Sequence, residues 1–330
     1  MIEHLELFAG AGGSALGFYN SGLTSSILAV DNDLDALNTL TSNRSHFQTR
    51  DKGELFPLRH DLLANPDKPV IDAPVWLLSG GFPCQPFSVA SGKYRNQAIL
   101  DLRGITCMVT HVAACKPKIV FMENVPGFRD ADNGNAYRWL LSSLRSLGYV
   151  VSSSVVNMAH YGIPQHRKRL IILAWSSTEI PPLVSASQRL LPLGVEVTLR
   201  EALKDVPPSI GAKITPKTAE IYSRVTPGTV LNVAGDNQRY RRLSWDEPCT
   251  TITTTQSGQS SVCHPSELRR LTVREVARVM TFPDSYTFQG TMSAQYRQLG
   301  NAVPPLFTEQ LGRMIVSRLN RATMGEILGG

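Results

Sequence analysis

Up to about residue 175, short apolar runs alternate with stretches whose apolar positions recur every three to four residues. The runs Leu5–Phe8, Ile27–Val30, Val75–Leu78, Ile119–Met122, Val150–Val156 and Leu170–Trp175 predict strands, and His60-Asp61-Leu62 closes a further one. Between them, Ser14–Asn20, Leu34–Asn43, Thr106–Cys115 and Ala136–Leu147 carry the helical period. Such alternation predicts an α/β fold with a doubly wound sheet. After Trp175 the pattern breaks. From Ser176 to about Pro265 the chain is rich in Pro, Ser and Thr, with short runs such as Cys249–Thr255. About ninety residues is too long for a structureless connection, so a smaller unit of strands and loops is expected here. From Arg269 the helical period returns, and the amphipathic stretch Leu306–Leu319 is expected to pack back on the first unit. These readings divide the chain into a larger domain, 1–178 with 285–330, and a smaller one, 179–284.

Composition changes this picture little. The chain has 330 residues, 42% of them hydrophobic, which is enough for a full core. The formal net charge of +6 fits a polyanionic partner but also suits many enzymes. Five cysteines, Cys84, Cys107, Cys115, Cys249 and Cys263, form no CxxC pair, which argues against a disulfide framework and a structural metal site. The first residues do not read as a signal peptide, and no apolar run approaches the ~20 residues of a membrane span. The expected setting is reducing cytoplasm.

The chemistry concentrates at predicted strand ends. Leu5–Gly13 reads as a strand, a glycine-rich turn and a helix start. Glycines let the backbone approach a ligand closely, and Phe8, Gly10 and Gly12 mark that turn. Asp31, followed by Asn32, comes about 20 residues later at the end of the second strand, where a carboxylate can accept both hydroxyls of a ribose. This fits NAD or S-adenosylmethionine equally. Asp61 and Leu62 offer a carboxylate for an adenine amino group and an apolar wall, although a plain surface loop explains them as well. After the fourth strand, Gly80–Ser88 holds Cys84 between prolines. A thiolate is a strong nucleophile when its pKa is lowered. Cys107 and Cys115, in a helical pattern, read as structural. Glu123 ends the next strand, and a carboxyl group there can pass a proton to a substrate nitrogen. Period 2 puts Gln165, Arg167 and Arg169 on one face, though a solvated basic turn would show the same pattern.

The ordered set FAGAGG, GGFPCQPFS, ENV, QHRKR, RRLTVREVARVMTFPD and QLGNAVPP resembles the bacterial and phage DNA (cytosine-5)-methyltransferases. The resemblance covers nearly the whole chain except roughly residues 176–240. It implies a Rossmann-like catalytic domain that binds S-adenosylmethionine, and a small target-recognition domain. Cys84 would attack carbon-6 of a cytosine flipped out of double-stranded DNA. Glu123 would meet the base's nitrogen edge, and Arg169, with Arg167 near it, the carbonyl oxygen. Phe8, Gly10, Gly12, Asp31, Asn32, Asp61, Leu62 and Pro83 would line the cofactor, joined by Asn301, Ala302 and Val303 from the far end. Segment 269–284 would bridge the domains. DNA contacts are expected from Ser88, Arg239, Arg241, Arg242, Thr253, Gln256, Ser257 and Gln259, because Arg suits guanine and Ser, Thr and Gln suit mixed contacts.

Two positions depart from the family pattern. Asp31 stands where Glu is usual, and Thr106 stands where an aliphatic residue usually meets the cofactor. The resemblance further implies a monomer that serves a restriction-modification system, any cognate restriction endonuclease not being in direct contact, or that stands alone as an orphan methylase. An NAD-dependent oxidoreductase explains the glycine turn but gives Pro83-Cys84-Gln85 and Glu123-Asn124 no work. A non-catalytic DNA-binding member and an RNA methyltransferase are the other rivals.

Overall fold

The computed structural model describes residues 2–48, 53–83, 102–178, 180, 182–183, 194, 196–209, 214–233, 239–253 and 262–328. Its strands are β1 (His4–Leu7), β2 (Ser26–Asp31), β3 (Glu54–Arg59), β4 (Leu77–Gly80), β5 (Ile119–Asn124), β6 (Tyr149–Asn157), β7 (Gln165–His166), β8 (Lys168–Ser176), β9 (Val230–Asn232), β10 (Arg239–Arg242), β11 (Cys249–Thr250) and β12 (Val262–Cys263). Its α-helices are α1 (Gly13–Ser21), α2 (Leu34–Ser42), α3 (Arg103–Cys115), α4 (Asn135–Ser146), α5 (Leu199–Ala202), α6 (Pro216–Ser223), α7 (Val273–Val279), α8 (Met292–Asn301) and α9 (Pro305–Leu328).

Seven strands form one sheet in the order β3-β2-β1-β4-β5-β8-β6. The first five run parallel, whereas β8 lies antiparallel between β5 and β6. Strands β1, β4 and β5 are buried at every position, as expected when helices cover both faces. Alternate side chains go to opposite layers. Val120 and Met122 pack with α3 and α4 through Met108, Val112, Leu140 and Leu144. Ile119 and Phe121 pack the other way, against Phe18 of α1 and Phe307, Leu311 and Ile315 of α9. The return of the C-terminal stretch to the first unit is thus realised, on the same face as α1. Helix α1 comes so close that a Cβ at Gly17 would lie 2.0 Å from the Thr308 hydroxyl.

Strands β12, β10 and β9 form a separate small sheet. Helix α6 covers it around a minor core of Tyr222, Val225, Tyr240 and Cys263. The rest of the middle segment joins a larger cluster that also holds parts of both chain ends. There Ala15, Tyr19 and Leu37 pack with Leu199, Leu243 and Ile252, and with Val276, Phe282 and Leu299. Helix α7 opens on a capping box, the Thr272 hydroxyl taking the Glu275 N–H and the Glu275 carboxylate the Thr272 N–H. Arg269 donates to both oxygens of the Glu275 carboxylate at 2.8 Å.

Candidate active site

Strands β2 and β4 flank β1, so the chain leaves the sheet in two directions beyond Leu7. Open α/β sheets bind ligands at such a switch point. A cavity of about 360 Å³ lies there. It is lined by the turn after β1, the ends of β2, β4 and β5, the start of β8 and the passage from α8 to α9.

The first wall is built under strain. Phe8 has a φ of 55°, unusual for a bulky side chain, and Gly10 follows with 52°. The Gly10 N–H donates to Asp31 Oδ2 at 2.7 Å, and the Asp33 N–H to Asp31 Oδ1 at 2.9 Å. These bonds fix the carboxylate at the cavity edge. Burial nevertheless holds the Asp31 carboxyl above the usual carboxylate range. Beneath the turn Glu6 is buried, and its Oε2 has no hydrogen-bond partner among the described residues. Burial pushes the Glu6 carboxyl up to about 8. At the rim, Asp33 caps α2 and meets Arg297 of α8 at 3.2 Å.

The second wall carries the paired charges. Glu123, at the end of β5, meets Arg169 Nε of β8 at 2.7 Å, both nearly buried. The antiparallel register places Glu123 opposite Ile171 and Asn124 opposite Leu170, which brings Arg169 to the strand end. Asn124 Nδ2 donates to the Phe82 carbonyl at 3.2 Å and so fastens the root of the loop leading to Cys84. Arg167 differs from its neighbour. It is 1% exposed. Its guanidinium donates to the carbonyls of Ile252 and Gly300 at 3.0 Å and of Ala302 at 3.1 Å. The run Gln165–Arg169 is not one strand, because β7 ends at His166 and β8 begins at Lys168.

The structure brings most of the expected residues together. Phe8, Gly10, Asp31, Asn32, Pro83, Glu123, Arg167, Arg169, Asn301, Ala302 and Val303 all line the cavity. Gly12, Asp61 and Leu62 lie outside its lining. A Cβ at Gly12 would sit 2.3 Å from Leu40 Cδ2, so that glycine serves helix packing. Asp61 takes the Leu63 N–H in a local turn, and Leu62 is core. Cys84, Ser88, Gln256, Ser257 and Gln259 fall outside the described residues, as does the side chain of Arg239. Arg241 is half-buried and Thr253 exposed. Arg242 donates to the carbonyls of Pro265 and Val225 within the small lobe. Glu6, Asp33, Arg297 and Gln298 line the cavity without having been singled out in the sequence. Two of them gave a signal, Glu6 as an acidic residue between Leu5 and Leu7 of a buried strand and Gln298 as the first residue of QLGNAVPP.

These residues fit S-adenosylmethionine. The cavity offers a carboxylate at Asp31 and, beneath the turn, the Glu6 carboxyl group, which burial keeps protonated and whose Oε2 has no partner among the described residues, so it suits a polar group of the ligand. A Cβ at Gly10 would meet nothing within 4 Å, so the turn leaves open space where a ligand would press on backbone.

The family of C-5 cytosine-specific DNA methylases matches residues 2–317. The type II methyltransferase M.PspPI of Psychrobacter sp. is 36% identical, over 96% of this chain and 80% of its own length. M.Eco47II of Escherichia coli is also 36% identical, over 96% and 79%. Among solved structures, a DNA modification methyltransferase encoded within an Escherichia coli prophage superposes with a TM-score of 0.76 at 21% identity. That match covers 97% of this chain and all of the other. A Spodoptera frugiperda DNMT2 variant gives 0.67 at 19%, covering 96% and 100%.

Proposed function

The chain belongs to the C-5 cytosine-specific DNA methylase family and is a DNA (cytosine-5)-methyltransferase that uses S-adenosylmethionine; from this premise we propose how its own residues share the work. Phe8, Gly10, Asp31, Asn32 and Pro83 hold the cofactor with Asn301, Ala302 and Val303, and Asp31 takes the ribose hydroxyls. Bound there, S-adenosylmethionine supplies an electrophilic methyl group. Cys84 is the nucleophile. Burial holds the thiols of Cys107, Cys115, Cys249 and Cys263 above the ordinary cysteine value, which leaves those four poor nucleophiles. Cys84 directly follows Pro83, a residue of the cavity wall.

The cytosine is drawn out of the duplex at a cost of a few kcal/mol. The Cys84 thiolate bonds to carbon-6 while Glu123 holds a proton at the ring nitrogen N3. Arg169 steadies the Glu123 carboxyl group and the developing charge on the base's carbonyl oxygen. Carbon-5 thereby gains enamine character. Once it carries the methyl group, a water molecule takes the carbon-5 proton, that electron pair re-forms the 5,6 double bond, the carbon–sulfur bond breaks to release the thiolate, and the N3 proton returns to Glu123. The observation that carries this reading is the Glu123–Arg169 pair opening into the same cavity as the glycine turn.

The small lobe reads sequence through Arg239, Arg241 and the Thr253–Gln259 segment, while Arg242 keeps that lobe in shape. Ser88 contacts the DNA backbone. The protein acts as a cytoplasmic monomer on double-stranded DNA, either within a restriction-modification system or as an orphan methylase. No helix among the described residues is long and apolar enough to cross a membrane.

Bisulfite sequencing of DNA from cells expressing the protein should show one short sequence methylated at cytosine. A duplex with 5-fluorocytosine at that position should then form an adduct that survives denaturation, because fluorine blocks the elimination. Methylation without an adduct, or an adduct persisting in Cys84→Ser, would remove Cys84 from the mechanism.

A further inference from the structure

Arg167 presents an arrangement that base chemistry does not explain. A guanidinium is a rigid fork of donors, and this one is spent on carbonyls from two remote segments. Ile252 belongs to the middle of the chain, just before Thr253 and the segment proposed to face DNA. Gly300 and Ala302 flank Asn301 on the cofactor side of the cavity. The grip on Ile252 is two-handed, because Gln165 Oε1 takes its N–H at 2.9 Å while Arg167 takes its carbonyl. The neighbouring bonds extend that seam. Strand β11 pairs with β7, the Cys249 N–H donates to the Pro164 carbonyl, and the Thr251 hydroxyl donates to the His166 carbonyl at 2.6 Å. Gln165 also reaches Met280 Sδ at 3.1 Å, beyond the end of α7.

We infer that Arg167 is a positioning residue that couples occupancy of the cofactor site to the DNA-facing segment rooted at Ile252. The inference rests on the proposed reading of the site. A ligand that orders 300–302 fixes two of the carbonyls Arg167 needs. The side chain is then held in the pose that grips the third. The ordering of the DNA-side root therefore costs less once the cofactor side is set, and by linkage the reverse holds equally. A lysine offers one nitrogen instead of a fork and cannot reach both segments at once.

The test is calorimetric binding of S-adenosylhomocysteine, alone and with a saturating duplex containing the site found by bisulfite sequencing. In the wild type, the duplex should tighten S-adenosylhomocysteine by about tenfold, within the range usual for coupled sites. In Arg167→Lys that gain should fall below about threefold, with KM raised for both substrates and kcat at saturation nearly kept. Should Arg167→Lys fail to fold, Gln165→Met decides. It removes the bonds from Gln165 to the Ile252 N–H and to Met280 Sδ and leaves Arg167 in place, so it should reduce the gain and weaken duplex binding while leaving the affinity for S-adenosylhomocysteine alone unchanged. An undiminished gain in the folded variant, or no gain in the wild type, overturns the inference. A collapse of kcat with the gain intact overturns it too, and places Arg167 at the base instead. Wild-type protein that binds no S-adenosylhomocysteine would instead sink the parent reading.

Discussion

Arg169 and Arg167 are two positions apart, yet their surroundings assign them different work. Arg169 meets a carboxylate at the cavity wall, and Arg167 holds backbone carbonyls. Replacing Arg169 by Ala should lower kcat by about 10²–10³, the scale seen when one charge-stabilising donor is removed. Steady-state kinetics at saturating DNA and cofactor would show it, and an unchanged kcat would deny Arg169 a part in the chemistry. Glu6 makes a second case. Folded, it keeps its proton up to about pH 8, against 4.5 for an ordinary glutamate. Between those values the folded chain binds one proton more than the unfolded chain. Its contribution is therefore full below 4.5 and is lost as pH rises through about 8. Glu6→Gln removes this dependence, so the variant should gain on the wild type in melting temperature as pH climbs through that window. A constant difference between the two melting curves would mean that Glu6 is already ionised when folded. The sequence made Asp31 and Glu123 legible because each closes an apolar run. The division between the two arginines was not legible, since period 2 assigns them one face and the strand breaks at Arg167.

At the level of elements, the strand–helix alternation was legible because its periods are local, and most predicted strands fall on observed ones, but β3 ends at Arg59, before His60-Asp61-Leu62, and β4 starts two residues later than the predicted Val75. Two features were not. Helix α3 begins at Arg103, three residues before the predicted Thr106, at a start with no side-chain cap to mark it. The insertion of β8 between β5 and β6 is a choice among long-range pairings that no local pattern encodes. The contact of α1 with α9 is similarly long-range, and it places a strict demand on one residue. A Cβ at Gly17 would fall 2.0 Å from Thr308 Oγ1 and 2.2 Å from the Pro305 carbonyl. Helix α9 would have to move, and it begins two residues after Val303, which lines the cavity. Gly17→Ala should therefore cost about 1–3 kcal/mol in stability through overpacking. It should also weaken binding of S-adenosylhomocysteine. Denaturant midpoints and calorimetry measure the two effects, and a variant as stable as the wild type would show that the helices can separate freely.

For the molecule as a whole, the question is whether the two lobes unfold separately. Among the described residues, the small lobe's own core is Tyr222, Val225, Tyr240 and Cys263 with a few half-buried neighbours, too little to stand alone. Leu199, Leu243 and Ile252 instead bury their side chains with Tyr19, Leu37, Phe282 and Leu299, so the middle of the chain shares a core with both ends. Arg278 adds a bond from α7 to the Asp205 carbonyl beyond α5, and Arg167 ties Ile252 to the end of α8. Unfolding the small lobe would expose apolar surface on the large one, and the cost of that exposure makes the two melt together. Scanning calorimetry should therefore show one transition for a chain of this length, although larger chains often show several. At one hundred times its Kd, S-adenosylhomocysteine adds about 2.7 kcal/mol to whatever unfolds with its site. If the lobes are one cooperative unit, that increment moves the entire heat-absorption peak upward. If they are two, a shoulder belonging to the small lobe stays where it was while the remainder moves, and the shared core would then have to be judged too weak to unite them.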